Sequence, residues 1–479
     1  MAAGRVHLAV LGAGAAGMMT ALLAARRGLS VALVDPHFSA PNNLCISGGL
    51  FPAAGSPLQR AAGISDSSQA WLDDLRAFAG MAVNEDIAPA IAAALPQLTG
   101  YLVTEAGAPI RFLADVPAPG HRVARFHAVT PASGRALHAW LRQMIAAEAR
   151  VRCVVDRPLD AVNRGARGFE ICADGHDVDA DTLMLAGGGF GGNPDMVGQY
   201  IADMRGAQNS GAASNDGSVI MLARGWGAAL TGMDGYQGQG HANPGGRTRL
   251  GMSLPALGAV LVNCAGRRFV REDVGPSALA AHVLAQPGQR ALEIFDRQIE
   301  GQLGNHSAYA DAQAAGQIFS ADSVAALAAA AGIDAAALAT TLADCARFAR
   351  DSAGVGDASA DSAASRGAES GVAEPGAAES ASANLPGADP LGRRNFARVL
   401  APPYCASWVT GTLAHTQGGV CTNASAQVLD VHGQTIPALF AAGGCAAGLS
   451  GQGGDGYLPG NGLAQSFGLA WLAIAAICQ

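Results

Sequence analysis

Val6-His-Leu-Ala-Val-Leu11, Gly12-Ala-Gly-Ala-Ala-Gly17, an alanine-rich run, and Val31-Ala-Leu-Val-Asp35 follow one another without a break. The order is strand, glycine turn, helix, strand, acid. In such a unit Gly12 permits the tight turn, Gly14 lets backbone approach a pyrophosphate, and Gly17 lets the helix pack closely on the strand. The helix start at Ala15 and Ala16 then offers unpaired N–H groups and a partial positive charge to that pyrophosphate. Asp35 ends the second strand 18 residues past Gly17, where a carboxylate accepts hydrogen bonds from a ribose. One glycine turn means little among 64 glycines. Four agreeing features point to dinucleotide binding.

The rest of the composition bounds the class. A chain of 479 residues, half of them apolar, has the length for two or three domains. Net charge is −8 without a basic run, which argues against nucleic acid as a partner. All 30 basic residues are arginine. With no lysine, Schiff-base chemistry and a Walker-type phosphate lysine are excluded. The nine cysteines form no CxxC pair and no metal-type spacing, so no metal is expected. An odd, dispersed set suits a reducing compartment. The apolar stretch Val6 to Leu23 contains the glycine turn and reads as a buried strand and helix, not a leader. No run reaches the length of a membrane span, so the expectation is a cytoplasmic protein.

Amphipathic helices are expected around 68–80, with Trp71, Leu72 and Leu75 on one face, around 85–99, and over 135–149. Residues 151–185 alternate like a small β-meander, with turns at Arg164-Gly165 and Asp174-Gly175, and Gly187-Gly-Gly-Phe190 breaks its last strand. Asp216-Gly217 starts a helix. Strands are expected at 427–431 and 438–442, and a closing helix from Leu463 to Ile474. Residues 351–388 are nearly all Ala, Ser, Gly, Asp, Glu and Pro, too little apolar bulk to offset the entropy of ordering. The expected division is therefore 1–235 and 389–479 as the two parts of a nucleotide domain, 236–350 as an inserted lobe, and 351–388 as a disordered insertion.

Together these stretches resemble the flavoprotein subunits of fumarate reductase and succinate dehydrogenase and their relatives, which include 3-ketosteroid and tricarballylate dehydrogenases. The resemblance rests on the glycine turn, Ile46-Ser-Gly-Gly49, Leu185-Ala-Gly-Gly-Gly-Phe190, Asn215-Asp-Gly217, Leu261-Val-Asn-Cys-Ala-Gly-Arg-Arg-Phe-Val270, His415-Thr-Gln-Gly-Gly419, Ile436-Pro-Ala-Leu-Phe-Ala-Ala-Gly443 and Gly460-Asn-Gly-Leu-Ala464. It implies an α/β fold: a Rossmann-like FAD-binding domain of the GR2 flavoprotein type with an inserted α+β capping domain. It also implies FAD, held by the glycine turn and by Ser47, Gly48, Gly49, Ala186, Gly187, Gly188, Asp216, Gly443 and Gly444. Gly462, Leu463 and Ala464 would aim amides at the ring's N1–C2=O edge, favouring the anion formed on hydride uptake. Members with covalent flavin carry a histidine where this chain has Leu44, Cys45 and Ile46, so FAD is expected to be noncovalent. Members often carry an acid after the late Ala-Gly; Gly444 and Cys445 stand here instead.

The resemblance further implies hydride transfer between flavin N5 and a carbon beside an activating carbonyl-type group, with the substrate between the flavin and the 236–350 lobe. Fumarate reductases use two arginines and two histidines. Pro276 and Tyr457 fall where the arginines would stand, which argues against fumarate or succinate. His415 keeps one histidine position, and His241 lies near the other. In the steroid enzymes a tyrosine in the Tyr457 segment bonds the conjugated ketone, and a second tyrosine acts as base; Tyr236 is the candidate here. A phenol is a suitable donor to an enolate-like oxygen. Arg247, Arg249 and Arg271 are weaker candidates for holding an anion. The expected protein is an FAD-dependent oxidoreductase acting on a small molecule, with an unidentified electron partner. One alternative is a 3-ketosteroid dehydrogenase, against which stands an aromatic content of 5%. Another is a flavin-binding protein without catalysis.

Overall fold

The computed structural model describes residues 4–116, 120–245, 248–251, 253–303, 307–355, 389–393, 396–454 and 456–479. The chain divides into two compact units, Met1–Gln237 with Leu413–Gln479, and Gly238–Thr412. The second unit thus takes in residues 389–412, which the sequence reading grouped with the closing part of the nucleotide domain. The reason is strand pairing: Tyr404–Val409 runs antiparallel to Ala291–Asp296, the register matching Tyr404 with Asp296.

The first unit is built on strand β1 (Val6–Leu11), helix α1 (Ala15–Arg26) and strand β2 (Val31–Asp35). β1 is parallel to β2 on one side and to Val178–Leu185 on the other. Thr435–Ala441 extends the sheet beyond Val178–Leu185, and Val151–Val155 extends it beyond β2. Leu8, Ala9, Val10 and Leu33 are fully buried, because a parallel sheet is covered on both faces. Ten of the twelve residues of α1 are buried, and its alanines let it pack against the closing helix Asn461–Ile477. That helix packs in turn on Ala88–Thr104.

The expected meander at 151–185 is corrected. Only Ala161–Gly165, Gly168–Cys172 and the start of Val178–Leu185 pair antiparallel. Val151–Val155 belongs beside β2, and the tight turn falls at Ala166-Arg167, with Gly165 still in its strand. The helices Ser68–Ala79 and Gly134–Ala147 each begin at a serine cap, Ser67 and Ser133, accepting the N–H three residues on. Trp71, Leu72 and Leu75 are buried on the first of them.

In the second unit, Val260–Val262, Ala291–Asp296 and the 404–409 part of strand Tyr404–Thr416 pair antiparallel and carry helices whose core includes Leu279, Val283, Leu327 and Leu338. The helix Ala335–Val355 buries Leu338, Leu342, Cys345 and Ala349 along one stripe. It reaches Val355, so the first five residues of the expected insertion are helical; 356–388 lie outside the described residues.

Candidate functional site

The C-terminal ends of β1, Val178–Leu185 and Thr435–Ala441 each run into glycines: Gly12, Gly187-Gly-Gly189 and Gly443-Gly444. A Cβ on Gly12 would overlap the Ala186 carbonyl, one on Gly187 would overlap Val219, and one on Gly188 would overlap the Asn215 side chain. Gly443 faces Ala16, with 3.0 Å left for a Cβ. Glycine is required here because three chain segments meet at backbone distance. Gly14 differs: nothing lies within 4 Å of a Cβ placed on it. The first bond of α1 runs from the Met18 N–H to the Gly14 carbonyl at 3.0 Å. The amides of Ala15, Ala16 and Gly17 therefore have no partner within the helix, no side chain caps it, and its first turn holds no acid. An open face beside unspent amides at a helix N-terminus is a fit for a pyrophosphate.

Asp35 closes this cradle from beside it. One carboxylate oxygen accepts the Ala13 N–H at 2.6 Å and the other the His37 N–H at 2.7 Å. Each oxygen keeps further acceptor capacity for a ribose hydroxyl. Ser47 is spent locally: its hydroxyl donates to the Leu44 carbonyl at 2.8 Å and accepts the Gly49 N–H at 3.1 Å. Gly49 packs against Ser133 and Gly134, whereas Gly48 is exposed, with only Leu50 nearby at 3.7 Å. The carboxylate of Asp216 accepts the Ser218 N–H at 2.9 Å.

At the closing helix the expected trio of amides is reduced to two. The Ala464 N–H bonds the Gly460 carbonyl at 3.0 Å, the first regular bond of the helix, so Ala464 has no free donor. Gly462 and Leu463 precede it. The Gly462 N–H reaches the Tyr457 hydroxyl oxygen at 3.4 Å. Among the described residues no acceptor takes the Tyr457 proton. Burial pushes this phenol up to about 12, the Gly462 contact opposing, so it stays a donor at physiological pH.

The Tyr457 loop is braced on both sides. His121 Nε2 bonds the Pro459 carbonyl at 2.9 Å, and Arg125 Nη1 reaches His121 Nδ1 at 3.2 Å. Arginine only donates, so His121 is neutral and carries its proton on Nε2. Arg125 is 1% exposed and paired with Asp66 at 3.0 Å and Asp74 at 2.5 Å. Sequence reasoning missed His121, which lies 336 positions before Tyr457 and shares no motif with it. Tyr236 is 1% exposed, and its N–H bonds the Gly453 carbonyl at 3.0 Å. Its place is beside the same loop.

Burial pulls the His415 imidazole down to about 4, and the Gln417 amide nitrogen donates to its Nδ1 at 2.9 Å. Gln417 stood in the quoted motif without an assigned role. His241 belongs to the second unit, where it is 2% exposed and its Nδ1 bonds the buried Glu293 carboxylate at 2.9 Å. Pro276 starts the helix Pro276–Leu284. Arg271 faces Asp273 at 3.5 Å, and Arg247 lies outside the described residues. Among the described residues no three His, Cys, Asp or Glu side chains cluster as a metal site.

A family model described as FAD binding domain matches residues 7–463. A probable fumarate reductase, Ifc3, of Shewanella frigidimarina is 27% identical over 462 residues, covering 92% of this chain and 70% of that protein. A flavocytochrome c3 fumarate reductase in its open conformation superposes with TM-score 0.79 at 24% identity, over 99% of this chain and 78% of that one. A 3-ketosteroid Δ4-(5α)-dehydrogenase from Rhodococcus jostii gives TM-score 0.72 at 22% identity, over 99% and 97%. At these identities the two structures speak for the fold alone. The family match spans nearly the whole sequence: the chain belongs to the FAD binding domain family, with FAD as its cofactor, and is an FAD-dependent oxidoreductase acting on CH–CH groups.

Proposed function

We propose that this protein transfers hydride at a carbon–carbon bond next to an uncharged carbonyl-type group, with Tyr457 as the hydrogen-bond donor to that carbonyl. The observation that carries the reading is the Tyr457 hydroxyl, which accepts from Gly462 at the open end of the closing helix while its own proton has no acceptor among the described residues. The amides of Ala15, Ala16 and Gly17 hold the pyrophosphate, Asp35 takes a ribose, and Gly48, Gly443 and Gly444 let the chain of the cofactor pass. When bound, FAD supplies the hydride acceptor or donor. The helix start at Gly462 and Leu463 favours negative charge, and Tyr457 stabilises charge developing on the substrate oxygen.

Two features weigh against a dicarboxylate. Pro276 has no donor to offer, and residues 451–464, from the Tyr457 loop to the first helical turn, contain no arginine or lysine. A phenol recognises a neutral ketone oxygen; it is no clamp for a second carboxylate. With Leu44, Cys45 and Ile46 before the Ser47 loop, FAD attachment is noncovalent. The nine unpaired cysteines suit a reducing compartment, and we place the protein in the cytoplasm; no described helix is long and apolar enough to cross a membrane. The test is anaerobic titration of the oxidised protein with saturated ketones, steroid ketones and dicarboxylates, followed by flavin bleaching. Bleaching by neutral carbonyl compounds is expected. Bleaching by succinate alone overturns the reading.

A further inference from the structure

The three residues that follow Tyr457 are matched, one by one, to a single earlier segment. The Leu458 side chain occupies the place of a Cβ on Gly120, the Pro459 carbonyl accepts from His121 Nε2 at 2.9 Å, and a Cβ on Gly460 would meet the Phe126 ring at 2.8 Å. Before the tyrosine, the Asn84 N–H bonds the Leu449 carbonyl at 2.8 Å and the Gly451 N–H bonds the Ala82 carbonyl at 3.1 Å. The stretch 452–457 between these anchors holds three glycines, and glycine restrains a backbone least. What fixes the tyrosine therefore lies outside its own stretch.

Of the three matched contacts, only the one at His121 is directional. Leu458 and Gly460 meet apolar groups, which fill space without setting an angle, whereas a hydrogen bond orients the peptide that accepts it. The imidazole is itself oriented. Arg125 Nη1 donates to its Nδ1 at 3.2 Å, which leaves the hydrogen on Nε2. Burial lowers the ring's pKa, the Pro459 carbonyl opposing and the Arg125 charge assisting, so the ring stays neutral. Arg125 is clamped in turn by Asp66 and Asp74. Asp66 also accepts the Gln59 amide at 2.9 Å, and Asp74 the Arg122 N–H at 3.0 Å. A buried polar chain satisfied at each member holds its end group rigidly. Here the end group is the Pro459 carbonyl.

We propose that His121 is a positioning residue: through the Pro459 carbonyl it holds residues 457–462 in the arrangement that presents the Tyr457 hydroxyl. In this role it touches neither substrate nor cofactor and moves no proton. Its effect on rate rests on the carbonyl reading, whereas its hold on Tyr457 is a property of the loop alone.

The test uses FAD-loaded protein carrying 3-fluorotyrosine at its six tyrosines, the Tyr457 resonance being the one lost in Tyr457→Phe. Wild type is expected to show one sharp Tyr457 line. His121→Leu should broaden or split that line and leave the other five in place. It should also slow flavin reduction at saturating substrate at least tenfold, with FAD affinity unchanged. His121→Gln keeps an N–H for Pro459 and should restore the single line and a rate within threefold of wild type. An unchanged Tyr457 line in His121→Leu overturns the proposal, and so does glutamine as damaging as leucine. If His121→Leu does not fold as judged by circular dichroism, nitrogen NMR of histidine-labelled wild type decides. The His121 ring, assigned by its loss in His121→Gln, must carry its hydrogen on Nε2; a hydrogen on Nδ1 overturns the assignment. If Tyr457→Phe itself reduces at the wild-type rate, the carbonyl reading falls, while the fluorine line still reads the hold.

Discussion

Gly17 lies directly against Gly12: a Cβ on Gly17 would overlap the Gly12 carbonyl oxygen and meet Ala186 Cβ at 3.3 Å. Gly14, three positions earlier, has open space instead. The two glycines therefore serve different ends. One closes the fold, and the other stands beside open space, where we propose that the pyrophosphate lies.

Substitution separates them. Gly17→Val should destabilise the apo-protein by several kcal/mol or prevent folding, because the helix must move off the strand. Gly14→Val should fold with an apo thermal midpoint close to wild type and bind no FAD. Thermal denaturation and flavin retention on purification check both. A Gly14→Val protein that remains yellow contradicts the cradle.

Attachment is tested by acid precipitation of the yellow protein. All flavin should pass into the supernatant, because no histidine stands in residues 42–49. Flavin retained in the pellet means a covalent bond from another side chain.

Tyr457→Phe should keep FAD and fold, since among the described residues the hydroxyl's one hydrogen bond is the long one from Gly462. Loss of one preorganised donor to a developing oxyanion costs about 2.7–4 kcal/mol, or roughly a hundred- to thousand-fold in rate. Stopped-flow flavin reduction at saturating substrate reads it. A change within about threefold returns Tyr457 to a packing role.

Acid stability carries the mark of His127, which is fully buried between the Ser56 hydroxyl at 2.7 Å and the Arg125 carbonyl at 3.0 Å. Burial pulls it down to about 4, the Arg125 carbonyl opposing. A histidine depressed in the folded state is protonated first in the unfolded chain. Stability should therefore fall as pH drops from the ordinary histidine value of about 6.5 toward 4, by about 3 kcal/mol at most from this group. Urea unfolding of wild type and His127→Gln across that window should show a shallower loss in the variant.

The glycine turn was legible because its demand is local: each small residue answers a steric need within one strand–turn–helix. The meander at 151–185 misled because period-two alternation reports a strand without naming its partner, and β2 claimed Val151–Val155. Ala464 was counted as a flavin amide because helix starts blur by a residue or two in sequence, yet its N–H is already bonded to Gly460. Least legible were pairs brought together by the fold, His121 with Pro459 and His415 with Gly444, since nothing in either stretch announces the other.

The proposed substrate is a neutral carbonyl compound and not a dicarboxylate. The deciding measurement reduces the flavin anaerobically and mixes the enzyme in stopped flow with fumarate and with neutral enones. Reoxidation by an enone is expected, and none above the buffer rate by fumarate. Rapid reoxidation by fumarate would contradict it, and would mean that arginines outside the Pro276 and Tyr457 positions clamp the carboxylates.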